Sequence, residues 1–336
     1  MDGCDPEPLW RDRDGQMAEI LRGAEVARER RGPCAVTVGA FDGVHLGHQE
    51  ILQTTIAMAR DRGIRSCAVT FDPHPAEYAG IEDFRYLMDL DERVYHLAAS
   101  GVDLVRVLPF DDDLAATAPP DYVRDILVGD LGAKAVVVGA THRFGRGGRG
   151  DTALLDQMSA TLGFTVRLVP ATTLDGDVVS SSRIRGAVAE GRMKLARRML
   201  GRPFGLNGSV VPGYQRGAKL GFPTANLSPP PRRVLPALGI YAGTVGIEGQ
   251  VHPTGVHVGP VPTFGCDHLT IEAHILDFRG DLLGRELRID FLRRLRDVVP
   301  FDSQDELVLQ IERDLLLTRQ VVDEHLGKSK AQGEGA

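Results

Sequence analysis

The sequence lacks the features that mark several large functional classes. It contains no run of about 18 consecutive apolar residues, which a membrane-spanning helix needs, and no long run of Lys and Arg. Its formal net charge of -7 also argues against a nucleic acid as partner. Residues 1–14 are too acidic and polar for a secretory signal, so we expect a cytoplasmic protein without a membrane or nucleic-acid partner.

Cysteine is scarce and scattered. The cysteines show no C-x-x-C spacing and no neighbouring cluster of histidines, so neither a disulfide framework nor a structural zinc site is supported. We interpret all of them as free thiols, of which at least three are structural. They are Cys4, Cys34, Cys67 and Cys266.

The first half of the chain alternates between strand and helix patterns. A length of 336 residues suggests two domains, although one large domain is also open. Residues 1–31 are charged and weakly periodic, and we interpret them as a loose helical lead-in. From Pro33 the alternation predicts βαβ units and a parallel, Rossmann-like α/β sheet. The predicted strands include 66–71, 104–108, 135–138 and 165–169, and the predicted helices include 94–99, 121–131 and 154–162.

The second half has a different pattern. A helix predicted at 193–200 ends at Gly201 with Pro203 just beyond, and we take this helix stop as a domain boundary. Short strand-like runs then follow with no helix between them, which predicts a small antiparallel β-barrel closed by one amphipathic helix. These runs are 207–211, 240–245, 256–258, 271–276 and 286–291, and the helix is marked by Val308, Ile311 and Leu315. The predicted division is a lead-in 1–31, an α/β domain 32–200, a barrel 201–326 and a disordered tail 327–336.

The most informative stretch is residues 35–48. An apolar strand run is followed by a turn at Gly39 and by His45-Leu-Gly-His48, where a helical pattern starts. A helix N-terminus after a glycine turn suits a phosphate, because free N–H groups and the positive end of the helix dipole point at one place. Two imidazoles there could stabilise charge on an α-phosphate and its pyrophosphate leaving group. A solvated histidine pair is the alternative, which Asp42 and the glycines upstream make less favoured.

Polar stretches also follow later predicted strands, at 72–75, 139–150 and 180–185. Ligands of open parallel sheets bind beyond the carboxyl ends of the strands, so these stretches are candidates for the same site. The basic, glycine-rich loop 139–150 suits a triphosphate and plain solvent exposure equally, and both interpretations stay open. Serines 180–182 resemble an ordinary helix N-cap. Arg185 in the first turn opposes the helix dipole unless a phosphate binds there, so we interpret it as functional.

The predicted barrel carries a second candidate site. Thr224 and Asn226 are two residues apart and share one side of the chain if it is extended. Their oxygens suit Mg²⁺, which keeps several waters and takes phosphate oxygens as further ligands. Glu272 interrupts the predicted strand 271–276, and it is either functional or an edge residue that faces water.

Two resemblances connect these stretches. The motif at 35–48 resembles the nucleotidylyltransferase superfamily, in which H-x-G-H lies beside an ATP phosphate site. From about residue 33 to 316, the chain resembles the bacterial bifunctional riboflavin kinases/FMN adenylyltransferases, also called FAD synthetases. The matching stretches are 38–48, 70–75, 143–146, 179–185, 201–203, 220–227, 239–241, 262–264 and the strand that holds Glu272.

The resemblance implies an N-terminal FMN adenylyltransferase and a C-terminal riboflavin kinase barrel, which use ATP and Mg²⁺ and take riboflavin and FMN as substrates. The implied catalytic residues are His45, His48, Arg185 and Glu272, with Glu272 as the general base for the flavin 5′-hydroxyl. The implied nucleotide-binding residues are Gly39, Phe41, Asp42, Ser180, Ser181, Ser182, Gly213, Gly217, Gly221 and Thr224. The implied flavin contacts are Pro73, Thr141, His142 and Phe144, and the implied Mg²⁺ ligands are Thr224 and Asn226.

The chain departs from the family's usual pattern at several polar positions. Gly139-Ala-Thr-His142 stands where G-x-D-F or G-x-N-F is usual, and Val261 replaces a polar side chain. Leu283 replaces the usual Tyr and Ala218 a common Arg. The catalytic groups remain, which suits altered substrate fit better than a dead enzyme. Two alternatives to the two-step enzyme therefore stay open: a diverged paralogue with one activity or a modified flavin, and a flavin- or nucleotide-binding regulator without turnover.

Overall fold

The computed structural model describes residues 18–23, 32–213, 216–260 and 269–327, and the chain divides into two compact units. Unit 1 comprises residues up to 84 together with 89–180. Unit 2 comprises 85–88 together with the residues from 181 onward. Across the described residues, no helix is both long enough and apolar enough to cross a membrane.

Unit 1 is built on a six-stranded, all-parallel sheet with the order β1-β4-β3-β2-β5-β6. Strands β2, β3 and β5 are buried along most of their length, which is typical of parallel strands covered on both faces. The predicted parallel α/β sheet is confirmed. The strands are β1 (Glu19–Arg22), β2 (Cys34–Val38), β3 (Arg65–Asp72), β4 (Leu104–Pro109), β5 (Ala133–Gly139) and β6 (Thr165–Val169).

Helices on the connections cover this sheet. Helix α1 packs with Leu52, Ile56 and Ala59 buried, which is the face expected from the sequence. The helix predicted at 121–131 is present, but it is π-helical over Tyr122–Asp130. The helices are α1 (Leu46–Arg62), α2 (Pro75–Tyr78), α3 (Leu90–Ala98), α4 (Asp112–Ala116), α5 (Pro119–Asp121) and α6 (Thr152–Leu162), and a small hairpin joins β7 (Thr173–Leu174) to β8 (Asp177–Val178).

The predicted helical lead-in is wrong for residues 19–22. These residues form β1, which pairs in parallel with β4, with Ile20 opposite Val105. Four residues are too few to reveal a helix or strand period, so pairing with a distant strand decides their conformation. The rest of the lead-in, at 1–17 and 24–31, lies outside the described residues.

Unit 2 contains a closed antiparallel barrel with the order β10-β13-β12-β11-β14-β9, as predicted from the sequence. Its interior is filled by buried side chains such as Leu206, Tyr241, Ile271 and Phe291. The strands are β9 (Phe204–Val211), β10 (Ala225–Ser228), β11 (Gly239–Ile247), β12 (Gln250–Pro260), β13 (Leu269–Ile275) and β14 (Glu286–Arg296). Strand β10 is a correction, because the predicted strand-like runs do not include it.

The helices of unit 2 are α7 (Ser181–Ala189), α8 (Met193–Leu200), α9 (Arg216–Lys219) and α10 (Gln304–Leu326). Helix α8 ends at Gly201, whose φ of 75° supplies the left-handed C-cap expected there. Helices α7 and α8 group with the barrel, so unit 2 begins before the boundary predicted at 200/201. Gly327 caps α10 with a φ of 72°, so it is not part of a disordered tail, and residues 328–336 lie outside the described range.

Two of the cysteines fall in unit 1. Cys34 and Cys67 are free and buried, as predicted for structural thiols. Burial raises the pKa of both thiols, so neither is a reactive thiolate near neutral pH. Cys4 and Cys266 lie outside the described residues.

Candidate active sites

His45 and His48 lie together at the start of α1. His45 is the N-cap residue, and its Nδ1 accepts a hydrogen bond from the backbone N–H of His48 at 3.4 Å. The two rings stack, with centroids 3.6 Å apart and planes inclined by 19°. His45 is nearly buried and His48 half-buried, so the pair lines the first helical turn, whose backbone N–H groups attract anions. The predicted sequence of strand, glycine turn and helix start is confirmed.

Gly47 makes room for the stacked pair. A Cβ atom on Gly47 would lie 3.3 Å from Cε1 and 3.4 Å from Nδ1 of His45, and 3.5 Å from Oγ1 of Thr172. Interiors are closely packed, so a side chain at position 47 would push the His45 ring by a few tenths of an ångström. The glycine inside H-x-G-H therefore leaves the stacked pair undisturbed, which the sequence pattern did not explain.

The loop between β2 and α1 has an unusual backbone. Phe41 and Val44 have positive φ angles of 50° and 36°, which non-glycine residues rarely adopt. Such conformations cost about 1–3 kcal/mol each and cluster at ligand sites. Phe41 and Asp42 are both 2% exposed, and the edge of the Phe41 ring faces His48 with centroids 5.1 Å apart. Contacts from this loop to a nucleotide would therefore come mainly from its backbone, starting at Gly39.

Arg93 on α3 holds this loop in place, and no sequence pattern pointed to it. Its guanidinium donates to the carbonyl oxygen of Ala40 at 2.9 Å and to that of Phe71 at 2.8 Å. The side chain is buried, and burial lowers the pKa of Arg93, an effect that nearby carboxylates, chiefly Asp42, oppose. A buried cation that binds one carbonyl of the loop and one of strand β3 fixes the position of the loop that joins β2 to α1.

The loop 139–150 combines one exposed and two enclosed side chains at the predicted flavin contacts. Thr141 is exposed, whereas Phe144 is buried against Tyr122, with ring centroids 5.5 Å apart. His142 stacks on Phe144 at 5.9 Å, and burial lowers the pKa of His142 to about 4. His142 is therefore neutral at pH 7 and acts as a ring rather than as a cation. Arg143, Arg146 and Arg149 are exposed, which leaves both interpretations of this loop open.

The remaining predicted residues of the first site lie in two places. Pro73 is half-buried after β3, beside His74, which caps α2 and stacks on Phe84 at 4.4 Å. Ser181 and Ser182 begin α7 in unit 2, where Arg185 Nη1 lies 3.5 Å from Ser182 Oγ, and Ser180 ends unit 1. The predicted role of this serine–arginine segment over the ATP phosphates stays a prediction.

In the barrel, strand pairing brings Asn226 and Glu272 together. Asn226 on β10 is directly opposite Glu272 on β13. Opposed residues on antiparallel strands have Cβ atoms about 4.5–5.5 Å apart and point to one face. Ile271 and Ala273 on either side of Glu272 are buried in the barrel interior, so Glu272 points outward and is partly accessible. The sequence could not reveal this juxtaposition because 46 positions separate the two residues.

Glycines form a close-fitting cradle around Asn226 and Thr224. A Cβ atom on Gly213 would lie 2.0 Å from Nδ2 of Asn226, and one on Gly217 would lie 2.4 Å from the carbonyl oxygen of Phe222 and 3.6 Å from Cγ2 of Thr224. Real Cβ atoms do not approach so closely, so only glycine fits both positions without movement. Gly221 turns the chain with a φ of 88° before Thr224.

This donor set fits Mg²⁺. A hydroxyl and an amide oxygen are hard, neutral ligands, and Mg²⁺ completes its shell with water and phosphate oxygens rather than with a protein cage. The described residues contain no group of three or more His, Cys, Asp or Glu side chains that could hold a metal by themselves. The departure at Val261 lies outside the described residues, and Leu283 is exposed.

Comparison with known proteins links both sites to one enzyme family. The family model for FAD synthetase matches residues 27–183, and the model for riboflavin kinase matches residues 200–322. The bifunctional riboflavin kinase/FMN adenylyltransferase of Pseudomonas fluorescens is 37% identical over 302 residues, which cover 90% of this chain and 97% of that protein. The protein of the same name from Escherichia coli (strain K12) is 36% identical over 305 residues, with the same coverage of 90% and 97%.

A solved structure matches most of this chain. The crystal structure described as the macrolide-efflux protein of Streptococcus pneumoniae matches with a TM-score of 0.79 at 30% identity, over 89% of this chain and 98% of that chain. The match supports the fold of this chain. The efflux activity in that name differs from the activities of the relatives above and is attributed to that protein alone.

Proposed function

The chain belongs to the family of bifunctional riboflavin kinases/FMN adenylyltransferases, and from this premise we propose which of its residues carry the two reactions. It is a transferase that phosphorylates riboflavin to FMN and adenylylates FMN to FAD, with ATP and Mg²⁺. We assign adenylyl transfer to the helix that begins at His45 and phosphoryl transfer to the barrel face that carries Glu272.

In the adenylyltransferase, an FMN phosphate oxygen attacks the α-phosphorus of ATP, and pyrophosphate leaves. The attacking oxygen is already ionised, so no general base is required, and catalysis rests on positioning and charge stabilisation. We assign that stabilisation to His45 and His48, whose stacked rings are held at the N-terminus of α1. Ser180–Ser182 and Arg185 would close on the same phosphates, and Gly39–Asp42 would line the nucleotide.

In the kinase, Glu272 accepts the proton of the riboflavin 5′-hydroxyl as that oxygen attacks the γ-phosphorus of ATP, with ADP as the leaving group. Thr224 and Asn226 would hold Mg²⁺, which neutralises developing charge on the phosphates when it is bound. The observation that supports this assignment is the register that sets Asn226, the proposed metal ligand, opposite Glu272, the proposed base.

The direct test is to incubate the protein with riboflavin, ATP and Mg²⁺ and to separate FMN and FAD chromatographically over time. We expect FMN first and FAD second, and neither product when EDTA removes Mg²⁺ or when ATP is omitted. Riboflavin left unchanged in the complete mixture would contradict the proposed kinase. FMN supplied with ATP and left unchanged would contradict the adenylyltransferase.

The departures at Thr141 and His142 support altered flavin fit as a second candidate. Thr141 is too short to replace the hydrogen bonds of a longer polar group, and one such bond is worth about 0.5–1.5 kcal/mol to a neutral partner and about 1.5–3 to a charged one. We therefore expect a high KM for FMN in the adenylyltransferase step, so that FMN accumulates when riboflavin is limiting. His142 is neutral at pH 7, so Phe at this position would remove no charge.

Restoring the family pattern with Thr141→Asp and His142→Phe together should lower the FMN KM by about tenfold, as measured by initial rates of FAD formation. Thr141→Ser is the matched control, because it keeps the short hydroxyl and should leave KM unchanged. If the double variant binds FMN no better, the pocket is built around a different flavin, and the modified-flavin hypothesis replaces the present one.

A third experiment addresses the metal. Gly213→Ala would force the Asn226 side chain to move, since the new Cβ would fall 2.0 Å from Nδ2. We expect the Mg²⁺ concentration for half-maximal kinase rate to rise by about 10–100-fold, the usual loss when a metal ligand is misplaced. Gly246→Ala in β11 is the control, because nothing lies within 4 Å of its added Cβ. If the two variants need the same Mg²⁺ concentration for half-maximal kinase rate, Asn226 is not a ligand of the metal.

We retain the division into 32–200 and 201–326 as a functional proposal, because one family model ends at residue 183 and the other begins at 200.

We also place the reactions in the cytoplasm, since both consume ATP. Residues 220–226, which carry the Thr224 hydroxyl and the Asn226 amide, would then serve the kinase alone, with Gly217 and Gly221 shaping the nucleotide contact.

A further inference from the structure

Glu272 belongs to a transverse row that crosses the outer face of the barrel. Strand register sets His257 on β12 opposite Glu272, Ile240 on β11 opposite His257, and Arg296 on β14 opposite Ile240. Together with Asn226, these residues are called the transverse row below. On β12, Val256 and Val258 are fully buried in the interior, so His257 points outward, to the same side as Glu272.

His257 is the polar neighbour of Glu272 on the side away from Asn226. The two groups interact electrostatically: burial lowers the pKa of His257, the Glu272 carboxylate opposes this, and the Arg296 guanidinium adds to it. Among the described residues, no hydrogen bond links the two side chains. Catalytic hydrogen bonds often shorten only in the loaded complex, so their separation here is compatible with a bond formed during turnover.

Arg296, at the far end of the row, is already bound in an ion pair. Arg296 makes a bidentate ion pair with Asp314 on α10, with Nη2–Oδ2 at 2.7 Å and Nε–Oδ1 at 3.1 Å. Ile240 between Arg296 and His257 offers no polar group. Arg296 is therefore not available to orient Glu272, and on this side of the row the polar neighbour of Glu272 is the imidazole of His257.

The imidazole is also confined. A Cβ atom on Gly259 would fall 2.4 Å from Nε2 of His257, so the ring lies directly over the Gly259 backbone. Glycine at 259 lets the ring occupy that space, and the strand beneath limits its rotation. A confined donor beside a carboxylate costs little entropy to order, which is what a positioning group requires.

We propose that His257 is a positioning residue for the kinase: it donates a hydrogen bond that orients the Glu272 carboxylate toward the riboflavin 5′-hydroxyl. The inference rests on the proposed role of Glu272 as general base and adds the residue that aims it. His257 itself touches neither the flavin nor ATP in this scheme. It acts on the rate of proton transfer and not on substrate affinity.

The test is a double-mutant cycle on kinase kcat, with His257→Val, Glu272→Gln and the two combined. We expect His257→Val to lower kcat by about tenfold, the size of one lost hydrogen bond, with the KM values for ATP and riboflavin within about twofold. In the Glu272→Gln background the same change should have almost no further effect, because an amide accepts no proton and there is no longer a base to orient. His257→Asn, which keeps an N–H donor, should recover most of the rate.

His252→Val is the matched control, since His252 lies on the same strand, opposite Val245 rather than beside the base. Should His257→Val fail to fold, His257→Phe keeps a ring without a donor and takes its place in the cycle. An unchanged kcat, or an equal loss in both backgrounds, would overturn the inference. If Glu272→Gln alone stays near the wild-type rate, the proposed base has failed instead, which is a separate result.

Discussion

We expect Glu272→Gln to lower the kcat of riboflavin phosphorylation by about 10²–10⁴-fold, the contribution of a positioned general base. The amide keeps the size and most of the hydrogen-bonding capacity of the carboxylate but cannot accept the proton of the 5′-hydroxyl. Because Asn226, Thr224 and the glycine cradle are untouched, the KM for ATP should stay nearly constant. The measurement is FMN formation under saturating ATP and Mg²⁺.

Two controls make this result specific. Glu248→Gln removes a carboxylate from the same unit that forms only an exposed ion pair with Arg285 at 3.4 Å, and it should leave kcat unchanged. FAD formation from supplied FMN should also be unaffected, since it is assigned to the other active site. If the kcat of Glu272→Gln for riboflavin phosphorylation lies within about threefold of wild type, Glu272 is not the general base but a strand residue that faces water.

His48→Ala should nearly abolish FAD formation while FMN still accumulates from riboflavin. Removing one charge-stabilising donor typically costs about 10²–10³-fold in kcat. The loss should be at least that large here, because the His48 ring also supports His45 through their stacking at 3.6 Å. The measurement is the ratio of FMN to FAD over time.

His96→Ala is the matched control for this variant. His96 lies on α3 of the same unit and faces Glu92 at 3.9 Å and Tyr95, so its loss should leave both rates unchanged. If well-folded His48→Ala protein loses FMN formation too, the two reactions are not independent, and the assignment of one reaction to residues 32–200 and the other to 201–326 is wrong. Thermal unfolding of both variants separates that outcome from misfolding.

The site residues differ in how far the sequence could locate them. His45 and His48 belong to one continuous motif, so their helix start could be predicted from the turn at Gly39 and the helical pattern after it. Asn226 and Glu272 could each be named, but the strand β10 (Ala225–Ser228) that holds Asn226 was not predicted. Four residues carry too little pattern, and the pairing of this strand with β9 and β13 decides its conformation.

Arg93 and His257 show what the sequence could not supply. In the sequence, Arg93 resembles any charged residue on the surface of a helix. Only the packing of α3 brings its guanidinium within hydrogen-bond distance of the carbonyl oxygens of Ala40 and Phe71. In the sequence, His257 is only a polar residue within a strand. Its position opposite Glu272 depends on the register between β12 and β13, and a shift of one residue would turn every side chain of the strand to the other face.

The sequence by itself determined the parallel α/β unit, the barrel, the helix stop at Gly201 and the motif at 35–48. These depend on periodicity, glycine turns and caps, which act between residues close along the chain. The tertiary structure alone decided the strand at Glu19–Arg22, the anchoring by Arg93 of the loop between β2 and α1, and the transverse row that joins Asn226, Glu272 and His257. Those contacts join distant segments, and their positions depend on strand order and register, which no local pattern encodes.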